Sequence, residues 1–110
     1  MNFFTLDRDP TIKQLLISLD TELSGIDSCV DADFATDSKA IFLRHRDNAG
    51  MCAYIYTVGQ RDNRYGVQLE FPPENGPVLA METYENIGYN ALKDILMVHL
   101  DLAEAGVPPN

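Results

Sequence analysis

Imidazole moves protons and binds transition metals near neutral pH, so His45 and His99, the only two histidines, are the first residues to ask for chemistry. His45 lies between Arg44 and Arg46, two cations that make it an unconvincing metal ligand or general base. His99 falls in the last helical pattern without the Glu-x-x-His partner of a metal-binding helix. Four aspartates, Asp27, Asp31, Asp33 and Asp37, surround Cys29, Val30 and Phe34. A calcium loop needs Asp-x-Asp-x-(Asp or Asn)-Gly closing on a Glu, and Asp31-Ala32-Asp33-Phe34-Ala35 breaks that spacing at the third ligand. Serines 18, 24, 28 and 38 have no Gly-x-Ser-x-Gly elbow, and no phosphate-cradling glycine loop or dinucleotide fingerprint is present. Cys29 and Cys52 lack C-x-x-C spacing; Cys52 sits in an apolar strand pattern, where a thiol behaves as a small hydrophobe, and a disulfide between them stays open. The expectation is a protein without catalytic residues, metal or cofactor, one that works by binding.

The remaining constellation is cationic and aromatic. Arg44, Arg46, Arg61 and Arg64 flank two predicted strand connections, with Tyr54, Tyr56 and Tyr65 close in sequence. Such a mixture suits an RNA-stacking sheet, a protein interface or an ordinary exposed hairpin. Charge weighs against RNA. The net charge is −9, divided as −5 over residues 1–40, +2 over 41–66 and −6 over 67–110. A field of that sign repels phosphate and attracts a basic protein, although acidity also simply keeps a protein soluble. The residues expected to meet a partner are Tyr54, Tyr56, Arg61, Arg64, Glu70 and Glu74, the partner being a basic protein rather than nucleic acid or membrane.

These side chains need a scaffold, and 110 residues make a single domain, 1–110. No apolar run reaches the roughly 18 residues of a membrane span, and Met1-Asn2-Phe3-Phe4 lacks the basic start of a signal peptide, so a cytoplasmic location is expected. Asp9-Pro10 reads as a helix start, and Ile12, Leu15, Leu16, Leu19 and Leu23 recur at helical spacing up to Gly25. Ser24–Ser38 reads as an irregular connection with room for one short strand. From Lys39 the period becomes two: strands over 39–44, 51–58 and 65–71, with a turn at Asp47–Gly50 and a loop at 59–64. A short fourth strand is expected over Val78–Glu82. A last helix follows, capped by Thr83, stopping at Gly106, with Ile87, Ala91, Ile95, Val98 and Leu102 facing the core. The fold class is α+β, a two-layer sandwich in the order α-β-β-β-β-α, with both helices on one face of a four-stranded antiparallel sheet. The other face carries tyrosines and leaves room for a homodimer.

From about Tyr54 to Pro109 the chain resembles the HicB-type antitoxin domain, a partial ribonuclease-H-like fold. The shared residues are Gly66 through Phe71-Pro72, then Gly76 and Val78 at a turn, then Thr83, Glu85, Asn90 and Ala91, and finally Glu104, Gly106 and Pro108. Residues 1–48 have no counterpart. The family's strand after the helix has none either, and Lys39–Arg44 is expected to take its place. The resemblance implies a small antitoxin-like inhibitor that docks on a basic, RNA-cleaving protein and covers its active site. Two other readings share the acidity: a stand-alone immunity protein or phage-encoded (anti-CRISPR-like) inhibitor of a host nuclease complex, and an acidic secretion-type chaperone. An exposed apolar groove would mark the chaperone.

Overall fold

Asp9 opens the first helix as its chemistry suggests. In the computed structural model, which describes residues 2–31, 37–73 and 80–106, its carboxylate accepts the Thr11 amide hydrogen at 3.0 Å, and Pro10, with φ already fixed, takes the first helical position. Helix α1 runs Pro10–Glu22 and buries Ile12, Leu15, Leu16 and Leu19, the stripe read from their spacing. Strand β1 (Leu23–Ser24) follows, Gly25 takes a left-handed φ of +91°, and a 3-10 turn spans Ile26–Cys29.

The alternating segments form an antiparallel meander: β2 (Ala40–Arg44), β3 (Cys52–Tyr56), β4 (Tyr65–Phe71) and β5 (Ala80–Ile87), adjacent in that order. The fold is α+β, with this four-stranded sheet and two helices. Ile41, Leu43, Ala53, Ile55, Val67 and Leu69 share one core with α1 and with Leu92, Leu96 and Leu100 from the second helix, α2 (Tyr89–His99), and its end. At about 25 cal/mol per Å² of apolar surface, such continuous burial is the main source of stability. Glu22 ties the two helices together at the surface: it accepts the Tyr89 hydroxyl proton, and Lys93 Nζ stands 3.8 Å away.

The last third departs from the sequence reading. Thr83 is not a helix cap; it lies in β5 opposite Gln68, with Tyr84 opposite Val67. A β-branched and an aromatic residue suit a strand, and cross-strand pairing overrides the local capping tendency. The strand ends in a register shift where Asn86 adopts a φ of +54°, and Asn86 is held by accepting the Arg61 amide hydrogen at 2.8 Å and donating its own to Gln60 Oε1 at 2.6 Å. Gly88, read as helical, stands just before α2. The helix also stops early. Asp101 takes φ +53° and the Leu102 amide donates to the Met97 carbonyl at 2.9 Å, a closing bond that ends the helix well before Gly106.

These boundaries turn a different face inward. Leu92, Leu96 and His99 are buried, whereas Ala91 is exposed and Val98 is 84% exposed; only Leu102 of the expected stripe is buried, and it lies beyond the helix. Beyond α2, strand β6 (Ala103–Glu104) pairs antiparallel with β1, so a strand does follow the helix, and both helices are followed by short strands absent from the simple α-β-β-β-β-α order. Strand β2 occupies the sheet edge beside β3. Asp33, Glu74, the Gly76 turn, Val78, Leu79 and Pro108 lie outside the described residues.

Two outcomes test this packing. Leu96→Ala is expected to lower unfolding stability in urea by about 2–5 kcal/mol, and Val98→Ala by no more than about 0.5 kcal/mol; equal losses would contradict the assigned face. Burial, and then the bond to anionic Glu22, raise Tyr89 well above the usual phenol range. A folded value above the unfolded one means the contribution is complete below about pH 10 and is lost as pH rises through the folded value. Absorbance titration should therefore show a late-ionising tyrosine that disappears in Tyr89→Phe.

Candidate functional site

The outer face of the sheet is set by register. Phe42, Tyr54, Gln68 and Thr83 stand opposite one another across the four strands; Cys52, Glu70 and Met81 form a second row, and Tyr56 faces Gly66. Tyr54 and Tyr56 stack with ring centroids 5.8 Å apart. Gly66 is required beneath them, since a Cβ there would lie 2.3 Å from the Tyr56 ring. The Tyr56 hydroxyl donates to Glu85 Oε1 at 3.3 Å; burial first and the Glu85 charge next raise its pKa. Beside them lies a shallow depression of 470 Å³, lined by Asp37, Lys39, Tyr54, Tyr56, Gln68 and Thr83.

Of the residues expected at an interface, Tyr54, Tyr56 and Glu70 therefore share one face. Arg61 and Arg64 are exposed in the β3–β4 loop at one end of the sheet, while Arg44 ends β2 and Arg46 lies in the β2–β3 connection at the other. The four arginines, consecutive as cations in sequence, are split between opposite ends because the meander reverses between them. Arg44 is also engaged: it donates to Asp31 at 3.3 Å and to the Ala49 carbonyl at 2.8 Å, and its guanidinium lies 5.0 Å from the Phe42 ring centroid.

On the core side of the sheet is a feature that sequence reasoning missed. Helix α2 packs on β3 and β4, and β5 projects past it. The step between them forms a groove of 410 Å³ lined by Met51, Leu69, Phe71, Tyr84, Ile95 and Val98, with Glu82 and Asp94 at its rim. Residues Ala80 to Asn86 are all exposed, including Met81 at 47% and Tyr84 at 41%. Tyr84 donates to Glu82 Oε2 at 3.0 Å, and that bond, then the carboxylate charge, raises the phenol. Neither Glu82 nor Glu85 has a cationic partner among the described residues; each has a neutral tyrosine. The signal that could have revealed this site was the strand-forming Thr83-Tyr84 pair, which moves the helix start and exposes Val98.

The titratable candidates have structural roles. His99 Nε2 lies 2.8 Å from the Cys52 carbonyl oxygen and 3.1 Å from that of Glu70, with Phe71 edge-on at 4.9 Å. Carbonyls only accept, so Nε2 carries the proton and donates to both. His45 Nδ1 accepts the amides of Asp47 and Asn48 at 3.0 and 3.1 Å, which shapes the β2–β3 turn. Cys29 and Cys52 are free and buried, and burial raises both thiols, the opposite of what activates a nucleophilic thiolate. Among the described residues no group of three or more His, Cys, Asp or Glu is placed to hold a metal ion, and no helix is long and apolar enough to cross a membrane.

In comparisons with known proteins, no family model, no curated protein and no solved structure matches the chain.

The outer face yields a double-mutant prediction. Gly66→Ala is expected to destabilise the fold by about 1–3 kcal/mol through overpacking, and most of that loss should vanish in a Tyr56→Ser background, where no ring is displaced. Equal losses in both backgrounds, read from urea titrations, would contradict the Gly66–Tyr56 contact.

Proposed function

We propose that this two-layer α+β scaffold is a non-enzymatic binding protein whose partner is a basic protein, acting as an antitoxin-like inhibitor that covers the cationic face of a nucleic-acid-acting protein. The observation that carries this reading is where the acidity lies. Residues 67–110 hold seven acids and the single lysine Lys93, and Lys93 faces Glu22 at 3.8 Å. Glu82 and Asp94 are exposed beside an apolar groove, and Glu85 is exposed on the other face of the same strand. Carboxylates paired only with tyrosines keep their field, and such a field competes with RNA or DNA for a basic surface and speeds the encounter with it. The HicB-type resemblance supports the same role, and a stand-alone inhibitor of a host nuclease complex would use the same surface.

The groove between α2 and β5 favours a second reading, an acidic chaperone that holds an unfolded segment of its client. The two differ in what they do to the partner. Affinity capture on the immobilised chain, eluted with a salt gradient, followed by nuclease assay of the eluted protein, separates them. The inhibitor reading predicts a small basic protein released by rising salt, whose nuclease activity is suppressed by an equimolar amount of this chain. A retained client without nuclease activity, bound only while unfolded, would replace it with the chaperone reading. Absence of any captured protein, even at low ionic strength, would contradict both.

A further inference from the structure

The two edges of the sheet are not equivalent. Along β2, Val30 forms a bridge with Leu43 and the Asp31 amide donates to the Phe42 carbonyl at 3.0 Å, so that edge is partly covered. Along β5 nothing comparable is present among the described residues.

Hydrogen-bond phase fixes which β5 amides face outward. The His45 amide donates to the Met51 carbonyl and the Thr57 amide to the Lys39 carbonyl, so Ile41–Ile55 and Leu43–Ala53 are the bonded pairs between β2 and β3. Antiparallel ladders alternate. Cys52, Tyr54 and Tyr56 therefore bond to β4, and Val67, Leu69 and Phe71 bond to β5 through Tyr84, Glu82 and Ala80. Met81 and Thr83 are left with amide and carbonyl groups directed to the free edge.

Natural sheets blunt such an edge with lysine, proline or a bulge. From Ala80 to Glu85 there is no lysine, arginine or proline, and the irregularity comes only at Asn86. The edge carries Glu82 and Glu85 instead, with Asp94 across the groove. A second copy would bring the same acids to this edge and no base, whereas a strand bearing lysines would neutralise them. The apolar groove supplies the second half of the recognition, a place for alternate side chains of an added strand to lie against Tyr84, Ile95 and Val98.

We infer that β5 and the α2–β5 groove bind an extended segment of a partner protein by strand addition, the segment alternating apolar and lysine or arginine side chains. This rests on the reading of the chain as a binder of basic protein and adds the place and the mode. Main-chain bonds from Met81 and Thr83 hold the added strand, its apolar side chains enter the groove beside Glu82 and Asp94, and its cations, on the opposite face, meet Glu85.

The test uses the full chain and a dye-labelled peptide alternating lysine and valine, long enough to span β5, with fluorescence anisotropy as readout. A twin peptide N-methylated at alternate residues has the same charge but cannot form the ladder. Binding of the first peptide, weakened on the order of tenfold or more in the twin, is expected, since tenfold corresponds to about one net hydrogen bond. Thr83→Pro removes only an outward amide and should weaken binding similarly, as should Val98→Lys, which alters the exposed groove without touching the strand. If both peptides bind alike to wild type and both variants, strand addition is overturned while capture by charge stands. If neither binds at low salt, the charge reading fails as well. A dimer in sedimentation whose β5 amides are protected by a second copy would also overturn the proposal.

Discussion

The packing of α2 on β3 and β4 is the constraint from which the rest of the surface follows. Leu92, Leu96 and Leu100 are fully buried, and the buried His99 donates to carbonyls on two neighbouring strands. An apolar contact could slide by a turn; a hydrogen bond to two specific carbonyls holds one position, because a buried unpaired donor costs about 1–3 kcal/mol. With α2 held over β3 and β4, β5 is left exposed, and Val98, on the opposite side of the helix from Leu96, is left at the surface. The groove, the exposed strand edge and the unpaired carboxylates are three results of that one placement.

The outer face of the sheet depends on a second close approach. Tyr56 lies over Gly66, stacks on Tyr54 and reaches Glu85 on β5. The same strand therefore presents acids to both faces, Glu82 toward the groove and Glu85 toward the tyrosines. Glu22 performs the complementary task at the far side, accepting from Tyr89 and facing Lys93, and thereby engages the only lysine of the acidic C-terminal region.

Much of this was legible in the sequence where the cause is local. Asp9-Pro10 and the leucine stripe define α1, and alternation defines β2, β3 and β4, because each depends on neighbours within a few residues. The end of β5 was not. Thr83 can cap a helix or pair in a strand, and what decides is Gln68, a partner brought near only by the fold. Ile87, Ala91, Ile95 and Val98 keep a helical period as well as Leu92, Ile95, Leu96 and His99 do, so periodicity alone could not choose the buried face. Asp101 in a left-handed conformation was a less obvious stop than Gly106. The residues expected at an interface divide in the same way: the shared face of Tyr54, Tyr56 and Glu70 follows from alternation, whereas the separation of the arginines between two ends and the groove beneath β5 are consequences of topology.

An open β5 edge in the free chain is the claim on which the binding account stands, and amide hydrogen exchange resolved by residue tests it most directly. The account predicts that Glu82 and Tyr84, bonded to β4, are protected while Met81 and Thr83 exchange at rates near those of exposed amides. Equal and strong protection of all four in the free chain would show the edge already paired and would contradict it.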